Sequence, residues 1–135
     1  MPSKLRVPDG WSASRLGDVA AITLSNVDKK LSGGETPVRL CNYTDVYYNR
    51  YIDAALPLSA GTANAREIAR FQVKVGDVLI TKDSEDRHDI AVPALVVSDL
   101  PGVLCGYHLA IVRPREKLLD RGFLAALLQG HGTRH

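Results

Sequence analysis

The chain has 135 residues, 45% of them hydrophobic and 24% charged, with a net charge of +2. That size fits one domain with a single core, and the composition excludes a disordered segment. No stretch approaches the roughly 20 apolar residues of a membrane helix, and the opening Met-Pro-Ser-Lys-Leu-Arg-Val-Pro-Asp-Gly lacks the apolar core of a signal peptide, so a cytoplasmic protein with no membrane partner is expected.

Up to Pro8-Asp9-Gly10 the chain reads as an extended arm and a turn. Trp11 then precedes a short helix in which Leu16, Val19 and Ala20 recur at helical spacing and Ser12 or Ser14 can cap. The segment 29–37, Lys-Lys-Leu-Ser-Gly-Gly-Glu-Thr-Pro, is an exposed loop. Alternation in Val38-Arg39-Leu40-Cys41-Asn42-Tyr43 predicts a strand, and the run Val46-Tyr47-Tyr48-Asn49-Arg50-Tyr51-Ile52 has β-favouring composition and reads as a further extended piece. Cys41 and Cys105 lie in apolar stretches without Cys-x-x-Cys spacing, which predicts buried free thiols rather than a zinc site or a disulfide.

From Gly61 to Phe71 the sequence looks like a helix entry. Thr62 or Asn64 can cap, Glu67 stands three residues after Asn64 as in a capping box, and Ile68, Ala69 and Phe71 would face the core. Val73-Lys74-Val75-Gly76-Asp77 turns into the buried strand Val78-Leu79-Ile80-Thr81. Strands follow at 94–97 and 107–112, bounded by Pro93, Pro101 and Pro114, with a turn at Leu100-Pro101-Gly102. A helix from about Asp120 places Phe123, Leu124, Leu127 and Leu128 on one face and stops at Gly130. Strands and helices mix without strict βαβ alternation, and strand pairs close in sequence are expected. The fold class is therefore α+β, a mixed or antiparallel sheet with short helices.

The densest polar cluster, Thr81-Lys82-Asp83-Ser84-Glu85-Asp86-Arg87-His88-Asp89, projects from the end of a buried strand. As a nucleic-acid contact it would use Lys82 and Arg87 on phosphate or guanine and Ser84 and His88 on base edges. A metal-dependent hydrolase centred on Asp83, Glu85, Asp86, His88 and Asp89 is the alternative, and a solvated charged loop the plainest one. Arg39, Asn42 and Tyr43 at the end of the first strand, Arg50, and Tyr107-His108 are further candidates. Tyr47, Tyr48 and Tyr51 read equally as packing residues, and His108 as a core histidine. There is no Walker or Gly-x-Gly-x-x-Gly loop, no nuclease pattern of an Asp on one strand with an acidic-x-Lys on the next and no methyl-donor motif, so no catalysis and no cofactor are expected of this chain.

Taken in order, Trp11, Leu16-Gly17-Asp18-Val19, Val38-Arg39-Leu40-Cys41-Asn42-Tyr43, Tyr51-Ile52-Asp53, the step Phe71-Gln72-Val73-Lys74-Val75-Gly76-Asp77-Val78-Leu79-Ile80-Thr81, Leu104-Cys105-Gly106-Tyr107-His108-Leu109-Ala110-Ile111-Val112-Arg113-Pro114 and Phe123-Leu124-Ala125-Ala126-Leu127-Leu128 resemble one target-recognition domain of the specificity subunits of type I restriction-modification systems. The resemblance spans about residues 11–129. It implies an α+β domain that reads double-stranded DNA in the major groove, while partner methyltransferase and restriction subunits do the chemistry. The implied layout is an arm at 1–10, a target-recognition domain at 11–130 and a tail at 131–135. In the family the domain continues beyond the last helix with more strands and a long helix. The C-terminal part of the fold is therefore expected to be missing, as in a truncated or split subunit or a remnant interaction module.

Overall fold

The computed structural model describes residues 20–82 and 92–115. The expected helix after Trp11, most of the acidic loop and the helix at Phe123 to Leu128 lie outside them; Ala20, assigned to that first helix, instead begins a strand. Among the described residues the strands are β1 (Ala20–Leu24), β2 (Thr36–Cys41), β3 (Tyr51–Ile52), β4 (Ser59–Ala63), β5 (Val78–Thr81), β6 (Pro93–Val96), β7 (Val103–Cys105) and β8 (Leu109–Pro114), with helices α1 (Tyr43–Tyr48) and α2 (Ala65–Phe71). The class is α+β, built on two sheets of order β1-β8-β5-β6-β3 and β4-β2-β7.

The sheets are mixed. β1 runs antiparallel to β8 from Ala20↔Pro114 to Leu24↔Ala110, β5 is antiparallel to β8 and β6, and β2 is antiparallel to β4. Two pairs are parallel, β3 with β6 and β2 with β7, the latter in the register Arg39↔Val103, Leu40↔Leu104 and Cys41↔Cys105. The expectation of pairs close in sequence holds for β2/β4 and β5/β6. It fails for β1/β8 and β2/β7, which join distant parts of the chain.

Local chemistry explains where the elements depart from composition. The tyrosine run is not an extended piece: residues 43–48 are helix α1, and only Tyr51–Ile52 is strand. Asp45 accepts the Asn42 backbone N–H at 2.8 Å, satisfying a donor at the helix entry, and Asn49 Nδ2 donates to the Asp45 carbonyl at 2.8 Å. Val46 is the residue of α1 that enters the core, packing on β5 and β6. The β preference of tyrosine is overridden by these contacts.

Asn64, not Thr62, caps α2. Its Oδ1 accepts from Glu67 N at 2.8 Å while Glu67 Oε1 accepts from Asn64 N at 3.0 Å. Gly61, Thr62 and Ala63 belong to β4, and Ala69 is exposed, whereas Phe71 is buried and Ile68 packs beside it on β7. Lys30 donates to Glu67 at 3.0 Å, and the Asn64 N–H and this ammonium hold the Glu67 carboxyl below its ordinary pKa. Replacing Asn64 by alanine is expected to cost about 1 kcal/mol, the usual loss for an N-cap, read as a lower denaturation midpoint at unchanged m-value.

The largest core cluster gathers Cys41, Val46, Ile52, Leu79, Val96, Leu109 and Ile111 from both sheets and α1, and a second packs Leu40, Leu104 and Val38 of the smaller sheet against Phe71. Both cysteines are free and buried, as expected. Burial, with Asp45 nearby, pushes the Cys41 thiol up to about 12, and burial likewise pushes Cys105 well above the ordinary thiol range. Each is a small neutral core residue. The step Val75-Gly76-Asp77-Val78 is structural. Gly76 adopts φ +92°, which favours glycine, and turns the chain so that the Asp77 side chain is buried.

Candidate nucleic-acid interface

Strand direction gathers the site. β1 and β5 run alike and flank β8 antiparallel, so the exits of β1 and β5 stand beside the entry of β8. β2 and β7 are parallel and end together at Cys41 and Cys105. The residues just past these ends therefore share one rim: Ser25 after β1, Asn42 and Tyr43 after β2, Lys82 after β5, and Gly106, Tyr107 and His108 between β7 and β8.

Hydrogen bonds fasten the rim from beneath. Ser25 Oγ donates to the Cys105 carbonyl at 2.6 Å and accepts from Val27 N at 3.2 Å, and Ser25 N donates to the Leu109 carbonyl at 3.1 Å. Gly106 N donates to the Cys41 carbonyl at 2.9 Å, and Lys82 N to the His108 carbonyl at 3.1 Å. A side chain at Gly106 would bring its Cβ within 2.8 Å of the Cys41 carbonyl oxygen and 3.0 Å of Asn42 Oδ1. Only glycine lets the two parallel strands leave the sheet so close together.

Above this floor the side chains are presented in fixed positions. Lys82 Nζ donates to the Ser25 carbonyl and lies 5.1 Å from the centre of the Tyr107 ring, and His108 meets that ring edge-on at 5.1 Å. Tyr107 is nevertheless 45% exposed, enough to meet a ligand. Asn42 Nδ2 donates to Ser59 Oγ at 3.1 Å, and Tyr43 stacks on Tyr47 at 5.6 Å with the rings 16° apart. A cleft of about 280 Å³ opens between these pieces, lined by Val27, Asp28, Lys29, Asn42, Tyr43, Thr44, Tyr107 and His108.

Of the candidates read from sequence, Asn42, Tyr43, Lys82 and Tyr107 meet at this rim. Arg39 does not: it donates to the Leu56 carbonyl at 3.2 Å and lines a separate hollow with Asp53 and Asp99. Ser84, Arg87 and His88, with the carboxylates at Asp83, Glu85, Asp86 and Asp89, lie outside the described residues. Among the described residues no group of three or more His, Cys, Asp or Glu side chains could hold a metal ion, and no helix is long and apolar enough to cross a membrane. Sequence reasoning missed Asp28 and Lys29. They belong to an unpatterned segment after β1, and only the β1/β8 pairing brings them to the cleft.

Polar and aromatic side chains thus stand at strand ends on one rim, carried by two mixed sheets. The fold of the chain is that of specificity-subunit structures of type I restriction-modification systems. One solved structure, from work on complex assembly and conformational transition of the type I R-M system, superposes with a TM-score of 0.62 at 21% identity, covering 93% of this chain and 28% of its own. The HsdS subunit from Thermoanaerobacter tengcongensis superposes with a TM-score of 0.52 at 20% identity and the same coverages. The chain thus spans somewhat over a quarter of the length of these structures. No family profile and no curated protein matches the sequence.

Proposed function

We propose that this chain binds double-stranded DNA sequence-specifically, as a specificity component of a type I restriction-modification system in the cytoplasm, and that methylation and cleavage are carried out by partner methyltransferase and restriction subunits. The observation that carries this reading is the convergence of Asn42, Tyr43, Lys82 and Tyr107 on one rim of a scaffold shared with such subunits. The chemistry suits it. Asn42 offers an amide for base edges, Lys82 and Lys29 offer ammonium groups for phosphate, and the tyrosines offer rigid contact area at low entropic cost.

Binding to a randomised duplex library at low and moderate salt, with sequencing of the retained fraction, tests the proposal. An enriched motif of a few base pairs is expected. Retention without enrichment would reduce the chain to a general polyanion binder, and no retention would refute the reading. Lys82→Ala should weaken binding to all sequences alike and flatten the slope of log K against log salt by about one. An unchanged slope removes Lys82 from phosphate contact.

A further inference from the structure

The geometry points to the cleft between Tyr43 and Tyr107 as a site for a single nucleobase, either turned out of a duplex or already unpaired. This rests on the reading of the chain as a DNA-binding domain and adds what the rim holds. At about 280 Å³ the cleft falls just below the roughly 300–1,000 Å³ of drug-sized pockets, so it suits one planar ring system rather than a stretch of helix. Its aromatic elements are already set. Tyr43 lines the cleft and is steadied by Tyr47 in a near-parallel stack at 5.6 Å. Tyr107 is steadied by Lys82 at 5.1 Å and His108 at 5.1 Å while staying 45% exposed. A ring held this way loses little freedom when a base lies on it.

The polar lining fits the same ligand. Asn42 and Thr44 carry neutral hydrogen-bonding groups, Asp28 an acceptor and Lys29 a cation, an assortment that matches the mixed donors and acceptors on the edge of a base. Lys29 in the lining and Lys82 beside the Tyr107 ring bring positive charge near the cleft, suited to the phosphates that flank a base. Aromatic stacking with hydrogen bonding to an exposed edge is how proteins hold bases that have left the helix.

The test compares the full chain on a matched duplex, the same duplex with one central mismatch, and a single strand of the same sequence, at fixed salt. A mispaired base costs less to turn out of the stack than a paired one. The mismatched duplex is therefore expected to bind about tenfold more tightly than the matched one. Tyr43→Leu and Tyr107→Leu should each bring that ratio toward one, and Tyr51→Leu, on β3 and outside the cleft, should retain it. A gain confined to the mismatched duplex assigns the site to bases turned out of a helix, and an equal gain on the single strand assigns it to bases already unpaired. Equal binding of matched and mismatched duplexes, or a ratio that survives both tyrosine variants, overturns the base site while leaving DNA binding intact. Failure to retain any of the three nucleic acids overturns both.

Discussion

Arg113→Ala is expected to destabilise the protein by about 3 kcal/mol, the lower end for breaking a buried ion pair. Asp77 is 1% exposed, and Arg113 reaches it with two parallel bonds, Nε to Oδ1 at 2.7 Å and Nη2 to Oδ2 at 2.9 Å. Without the guanidinium the buried carboxylate would lose its charged partner, though the Lys74 backbone N–H at 2.8 Å would remain. The lower end applies because the Arg113 side chain is 38% exposed, so water tempers the pair and can enter the space it leaves. The bond to Asp77 also raises the Arg113 pKa, favouring the charged guanidinium. The pair joins β8 to the turn before β5, and the Asp77 carbonyl in turn accepts from Val96 of β6 at 2.9 Å. Denaturant unfolding should show the loss, with a fall in melting temperature on the order of 10 °C. Arg113→Lys should recover only part of it, because one ammonium cannot make the bidentate contact. A change below about 0.5 kcal/mol in Arg113→Ala, the size of an ordinary surface substitution, would show that the pair does not hold the strands.

Gly106→Ala should damage the rim more than removal of any one contacting side chain. The added methyl would sit 2.8 Å from the Cys41 carbonyl oxygen and 3.0 Å from Asn42 Oδ1. The first obstacle is backbone within the β2/β7 pair and cannot rotate away. Either the strand ends part, weakening the bond from Gly106 N to the Cys41 carbonyl, or Asn42 is displaced together with the start of α1. A cost of about 1–3 kcal/mol is expected, as for overpacking elsewhere. Because Asn42 and Tyr107 border the clash, the proposed DNA binding is expected to weaken at least about tenfold at temperatures where the variant remains folded, a loss of about 1.4 kcal/mol or more. Gly33→Ala is the matched control, since an added Cβ there meets nothing within 4 Å. Equal melting temperatures and equal affinities for the two variants would mean that the rim tolerates this movement.

Much of the scaffold can be read from short-range chemistry. β5, β6, β8 and α2 announce themselves through apolar runs, prolines at Pro93 and Pro114, and the Asn64/Glu67 capping box. The tyrosine run shows the limit of composition, because the contacts of Asp45 and Asn49 outweigh the strand preference of the tyrosines. β7 is three residues long and β1 carries exposed Ile22 and Leu24, so neither has a pattern that stands out. The site was legible in part because Asn42, Tyr43, Lys82 and Tyr107 each follow a strand or lie just before one. Their common rim was not legible, since it depends on β2 and β7 being parallel and on β1 returning beside β8, and no local signal encodes either pairing. Within the resemblance, the Gly76-Asp77-Val78-Leu79-Ile80 step owes its character to the buried Asp77 and the left-handed Gly76.

The pairing of β1 with β8 also has a consequence for how the chain is made. Ala20 meets Pro114 and Leu24 meets Ala110, so β1 waits for a partner strand that emerges some 90 residues after it. Contacts so distant along the chain slow folding, because loop closure is costly before any partner rewards it. Until β8 leaves the ribosome, the exposed edge of β5 and the unpaired β1 are open to intermolecular strand pairing. The same late arrival assembles the rim, which means that a nascent chain completes the rim and gains protection from aggregation in one step.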